Sequence, residues 1–128
     1  MAVELSMPVL VVDDYKTIVR ILQTLLKSIG FTNVHSAASG EEALARMSEQ
    51  RYGLVISDWN MDPMTGLDLL TTVRADQDKK ATPFIMVTAE SKTDNVVAAK
   101  RAGVNNYIVK PFNAQTLKQK IVAVLGDF

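Results

Sequence analysis

The chain contains no cysteine. That absence excludes a disulfide scaffold, a thiolate zinc site and a cysteine nucleophile, and it leaves no sign of an oxidising compartment. Net charge is missing too, since 14 basic residues balance 14 acidic ones. No overall field draws the protein to nucleic acid or to anionic lipid, so any charge effect has to be local. Nor does any apolar run approach the roughly twenty residues that span a bilayer. The start, MAVELSMPVL, lacks the basic beginning and long apolar body of a signal peptide. A soluble, cytoplasmic protein without membrane insertion is expected. With no low-complexity stretch, linker or repeat, the 128 residues read as a single domain over 1–128, long enough to bury a core.

What is present is regular. Short apolar, β-branched runs recur at VLVV (9–12), NVHS (33–36), LVIS (54–57), FIMV (84–87) and YIVK (107–110), and read as five strands. Between them apolar residues fall at helical spacing: Ile18, Leu22, Leu25 and Ile29; Leu67, Leu70 and Val73 or Arg74; Leu117, Ile121 and Val124. Ser39 with Glu42 fits a capping box, Asn113 an N-cap, and Gly30 and Gly103 stand where glycines stop helices. Strands alternating with helices predict a doubly wound α/β fold: a five-stranded parallel sheet with helices on both faces, because parallel strands need crossover connections. In such a sheet the carboxyl ends of all strands share one edge, and ligands bind there near the point where strand order reverses. Asp13 and Asp14 follow the first strand, Asp58 the third, Thr88 the fourth and Lys110 the fifth. Three acids, a hydroxyl and an amine are expected to converge.

Gathered carboxylates repel one another, and a divalent cation relieves that repulsion. An all-oxygen donor set indicates a hard ion, and a few carboxylates with waters suit magnesium better than calcium, with manganese expected to substitute. Lys110 and Thr88 supply the point charge and the hydroxyl one would place around phosphoryl oxygens, and Asp58, central among them, can be the nucleophile of an aspartyl phosphate. Singly these residues have plainer readings: Asp13 and Asp14 as turn formers, Thr88 as a helix cap, Lys110 as an exposed loop residue. Their convergence favours the chemical reading. The alternation of Asp58, Asn60 and Asp62 also resembles the start of a calcium loop, but the sixth and twelfth positions of that loop need glycine and glutamate. Here they are Pro63 and Leu69, and the segment follows a strand instead of a helix. His35 reads as structural or solvent-facing, the methionines as core filler with Met61 and Met64 flanking the acidic loop, and Lys118 and Lys120 as the wet face of the last helix.

VVDD (11–14), VISDWNM (55–61), GLDLL (66–70), VTAE (87–90) and YIVKPF (107–112) together resemble the receiver domains of two-component response regulators, most closely the chemotaxis regulators, over nearly the whole chain. The resemblance implies strand order 2-1-3-4-5. It implies that Asp58 accepts phosphate from a phosphohistidine on a sensor histidine kinase, with Asp13, Asp14, Asp58 and the Asn60 backbone carbonyl around magnesium. Thr88 and Lys110 would grip the phosphoryl group, Lys110 would precede a cis proline at Pro111, and Tyr107 would be the aromatic switch that turns inward when Thr88 moves. The protein would then be no enzyme in the ordinary sense, catalysing only its own phosphorylation and dephosphorylation. It would be a monomer without an output domain, read by a separate protein such as the flagellar motor switch, with a phosphatase as a further partner.

One position departs from the family pattern. Asp62 stands where proline usually follows the phosphorylated aspartate by four residues, and proline comes next, at Pro63. Asp62 is a candidate modulator that strengthens cation binding or slows phosphorylation by repulsion, against the plainer reading of an exposed loop charge. Glu90 is a second candidate modulator. Within the class, a phosphorelay intermediate or phosphate sink outside chemotaxis is the alternative. Outside it stand a metal-dependent phosphatase with an aspartyl nucleophile, which would need a substrate cap, and a flavin carrier, whose phosphate Asp13 and Asp14 would repel.

Overall fold

The computed structural model describes residues 4–88, 93–110 and 112–126. Strands and helices alternate: β1 (Val9–Val12), α1 (Lys16–Ile29), β2 (Val34–Ala37), α2 (Gly40–Glu49), β3 (Leu54–Asp58), α3 (Gly66–Ala75), β4 (Phe84–Thr88), α4 (Thr93–Arg101), β5 (Asn106–Val109) and α5 (Ala114–Leu125). The five strands form one sheet of order β2-β1-β3-β4-β5, every pairing parallel, as the resemblance implied. The central strands β1, β3 and β4 are buried at every residue, and the edge strands β2 and β5 only in part. Continuous apolar runs in the centre follow from helices covering both faces.

The pleat divides the core in two. Leu10, Val12, Val55, Phe84 and Met86 pack with Met47 of α2 and Leu69, Leu70 and Val73 of α3. Val9, Val11, Leu54, Ile56, Ile85 and Val87 pack with Leu22 and Leu26 of α1 and Leu117 and Ile121 of α5. Two apolar stripes sit differently from their sequence reading. In α1 the fully buried pair is Leu22 and Leu26, with Ile18, Leu25 and Ile29 at the margin. In α3 Leu69 is buried and Leu67 only half so.

Helix ends follow their local chemistry. The Asn113 side chain accepts the Thr116 N–H, and Gly30 and Gly103 take positive φ where helices stop. Ser39 accepts the Glu42 N–H, but the Glu42 carboxylate reaches the N–H of Ala38 instead of Ser39, so this box is closed one residue early. A full reciprocal box, which the sequence reading passed over, joins Thr65 and Asp68 at the start of α3. The cis peptide bond among the described residues is Asp62-Pro63; Pro111, where one was expected, lies outside them. No helix among the described residues is long and apolar enough to cross a membrane.

Candidate functional site

The carboxyl edge of the sheet collects the expected residues, with one refinement. β3 and β4 each run one residue further than their apolar runs, so Asp58 and Thr88 are the last rungs of the ladder, paired with Val87 and Val109. The ladder continues beyond them: the Trp59 N–H donates to Val87 O at 2.8 Å and the Lys110 N–H to Thr88 O at 2.8 Å. Backbone pairing therefore fixes the origins of Asp58, Thr88 and Lys110 before any side chain interacts. Asp13, one residue past β1, is held likewise by its N–H on Ala37 O.

Three carboxylates meet there. One oxygen each from Asp13, Asp14 and Asp58 lie within 4.8 Å of one another. Asp13 is 2% exposed and Asp58 5%, whereas Asp14 is open to solvent. The Lys110 ammonium sits 3.0 Å from Asp58 Oδ1 and neutralises that carboxylate directly. Among the described residues Asp13 has no such cation. Its Oδ1 accepts the Tyr15 N–H at 2.9 Å, and its Oδ2 is buried with no partner. Burial raises the Asp13 pKa to about 6, helped by the charges of Asp58 and Asp14 and opposed by the Tyr15 N–H and by Lys110.

An orphaned, buried carboxylate oxygen beside two further carboxylates is what a cation-binding cradle leaves when its ion is not counted. The donors are all oxygen, with no imidazole or thiolate beside them, so the residues fit a hard divalent ion. Asp62 is exposed and outside this trio, and Asn60, two residues before it, is exposed as well. Glu90 lies outside the described residues.

Thr88, 6% exposed, belongs to a second arrangement on the α2/α3 side of the sheet. Met86 pairs with Tyr107, and the pleat puts Thr88 on the same side two residues on. Trp59, Met86, Thr88, Val96, Ala99 and Tyr107 line a half-open cleft with about 10 Å³ of free space. That is at or below the room a single water needs. His35, as expected, is structural: its ring nitrogens contact the Tyr52 hydroxyl at 2.9 Å and Asn33 Oδ1 at 2.8 Å.

Two site residues escaped the sequence reading. Gly66 was visible only as part of GLDLL. Its N–H donates to Trp59 O at 2.9 Å, and a Cβ there would run into the Asp58 carbonyl and lie 2.7 Å from Met86 Sδ. Glycine lets α3 start against the backbone of the phosphoacceptor candidate. Lys120, read as solvated, is half-buried with its ammonium 5.2 Å from the centroid of the Tyr107 ring.

The pattern of the response regulator receiver domain matches residues 9–122. The chain is 50% identical over 115 residues to the chemotaxis protein CheY of Pseudomonas aeruginosa, covering 90% of this chain and 93% of that protein. Among solved structures, the chemotaxis protein CheY4 of Vibrio cholerae superposes with a TM-score of 0.88 at 37% identity, over 94% of this chain and 99% of that one. The receiver domain of a sensor histidine kinase of Pseudomonas aeruginosa, with a magnesium ion coordinated in its active site cleft, superposes at 0.85 and 24% identity, over 95% and 99%.

Proposed function

We propose, on the premise that the chain belongs to the response regulator receiver domain family, that Asp58 is the phosphoacceptor of a switch charged by a sensor histidine kinase. CheY-like receivers are phosphorylation-activated signalling proteins and not enzymes in the ordinary sense. The observation that carries the residue assignment is the Asp58 carboxylate at 3.0 Å from the Lys110 ammonium, beside the partnerless Oδ2 of Asp13. This proximity of a carboxylate, an ammonium and a second buried carboxylate supports reading them as nucleophile, phosphoryl-binding cation and metal ligand.

In the transfer an oxygen of Asp58 attacks the phosphorus of the phosphohistidine. The P–N bond breaks, the imidazole leaves with its electron pair and takes up a proton, and an acyl phosphate remains on Asp58. Asp13, Asp14, Asp58 and the Asn60 backbone carbonyl would hold magnesium, or manganese in its place, and the ion would supply neutralisation of the charge that builds on the phosphoryl oxygens. Lys110 shifts its charge from the carboxylate to a phosphoryl oxygen, and Thr88 donates its hydroxyl to another. Hydrolysis reverses the state: water attacks phosphorus and Asp58 leaves as carboxylate, a step a separate phosphatase would accelerate.

Movement of Thr88 toward the phosphoryl group opens the space beside it to Tyr107, and the surface made by α4, β5 and α5 changes. The chemotaxis relatives support a chemotaxis output; the target proposed is the flagellar motor switch, which would read the changed surface of this cytoplasmic, monomeric protein. Treatment with a small phosphodonor and magnesium should add one hydroxylamine-labile phosphoryl group by mass. Asp58→Asn should take up none; labile phosphate on that variant would remove Asp58 from its role.

A further inference from the structure

Lys120 and Tyr107 are bound to each other through a third residue. The Asn106 side chain donates from Nδ2 to the Lys120 carbonyl at 3.4 Å and accepts the Tyr107 N–H on Oδ1 at 2.9 Å. One amide thus ties the backbone of α5 to that of β5 beside the ring. With both origins fixed, the 5.2 Å approach of the ammonium to the ring depends on the two side chains alone. Among the described residues no carboxylate lies within ion-pair reach of the Lys120 ammonium, and the Tyr107 hydroxyl has no hydrogen-bond partner. Among the described residues, the Tyr107 ring face is the partner that the Lys120 ammonium approaches.

The ring is also confined by what it packs against. With Trp59, Met86, Thr88, Val96 and Ala99 it lines a half-open cleft with about 10 Å³ of free space, no more than one water needs. Its present position is therefore favoured by a charge on its face and by the small free space in the cleft beside Thr88. Displacement of Thr88 would relieve only the second of these.

We propose that Lys120 is a positioning residue for the switch, a cation that retains the Tyr107 ring in its resting arrangement and that the ring must leave when it rotates. The inference rests on the reading of Tyr107 as the switching ring. A cation over an aromatic face at a partly exposed site shifts a two-state population roughly two- to fivefold. Removing the charge should raise the rotated share of resting protein by that factor, before any phosphate is bound.

Lys120→Met keeps the apolar stem and removes the charge, and Lys120→Arg keeps a cation that can stack on the ring. The χ1 populations of Tyr107 would be measured by NMR on tyrosine-labelled protein without magnesium or phosphodonor, the resonance assigned with Tyr107→Phe. Thermal melts would confirm that each variant is folded. The expected result is a two- to fivefold rise of the minor rotamer in Lys120→Met, with Lys120→Arg matching the parent. The same population in parent and Lys120→Met, a fall of the minor rotamer, or Lys120→Arg behaving as Lys120→Met would each overturn the proposal. Mass analysis after phosphodonor treatment of the same samples reads Asp58 separately, so failure of the phosphoacceptor assignment is distinguishable from failure of the brake.

Discussion

At the scale of single residues, the site is defined by an unequal treatment of its carboxylates. Asp58 has Lys110 at 3.0 Å, whereas Asp13 is buried with one oxygen unpartnered. Folding therefore favours the protonated form of Asp13, whose pKa rises from 3.8 to about 6. The sign follows: the stability linked to this proton is fully present below about pH 4 and is lost as pH rises through about 6. At most about 3 kcal/mol is involved. In urea unfolding with a chelator present, Asp13→Asn should gain on the parent as pH rises from about 4 to 7; a gap independent of pH would refute the argument. Magnesium affinity should fall as pH drops below about 6, because the ligand must be deprotonated. Asp62 is exposed and outside the trio, so its charge reaches the site through water and salt. Asp62→Asn is expected to change magnesium affinity less than about threefold. A tenfold loss would make it a ligand.

At the scale of elements, the α3–β4 and α4–β5 connections are held together by Arg74. Its guanidinium donates to the carbonyls of Gly103 at 2.9 Å, Lys80 at 3.1 Å and Thr82 at 2.7 Å, and to Asn105 Oδ1 at 2.8 Å. Asn105 Oδ1 in turn accepts the Phe84 N–H, so the clamp reaches the first residue of β4. Arg74→Ala should cost about 2–3 kcal/mol in urea unfolding, by leaving several acceptors unpaired. Lysine should restore only part of this, since it lacks the planar fork, and full recovery would deny the clamp. In the sequence Arg74 was legible only as an alternative to Val73 on an apolar stripe, because periodicity cannot distinguish a core residue from a long stem leading to carbonyls. Gly66 was illegible for a related reason: its need for a missing Cβ depends on where the β3–α3 loop returns to the Asp58 carbonyl. Asp13, Asp14, Asp58, Thr88 and Lys110 could be read in advance because parallel strands share one carboxyl edge, a property of topology and not of packing. Lys120 failed the same test in reverse, since helical period assigned it to solvent and only the register of α5 against β5 puts it over Tyr107.

At the scale of the whole molecule, two apolar cores stabilise the sheet while its carboxyl edge works against them by crowding three negative groups. A divalent cation bound at the trio would relieve that crowding, so its binding and folding would be linked. At a magnesium concentration about a hundred times its dissociation constant the native state should gain about 2.7 kcal/mol. For a domain of this size that amounts to a rise of roughly 10 °C in the melting temperature. Trp59, the only tryptophan, is half-buried next to Asp58 and borders the Thr88–Tyr107 cleft. Its fluorescence should change over the same range of magnesium concentration as the melting temperature, and change again when a small phosphodonor is added. In the double variant Asp13→Asn, Asp58→Asn the cradle keeps its shape but loses two of its three charges, so both the thermal shift and the magnesium-dependent fluorescence change should disappear. A melting temperature in the parent that does not respond to magnesium, or a response that survives in the double variant, would separate the carboxylate trio from cation binding.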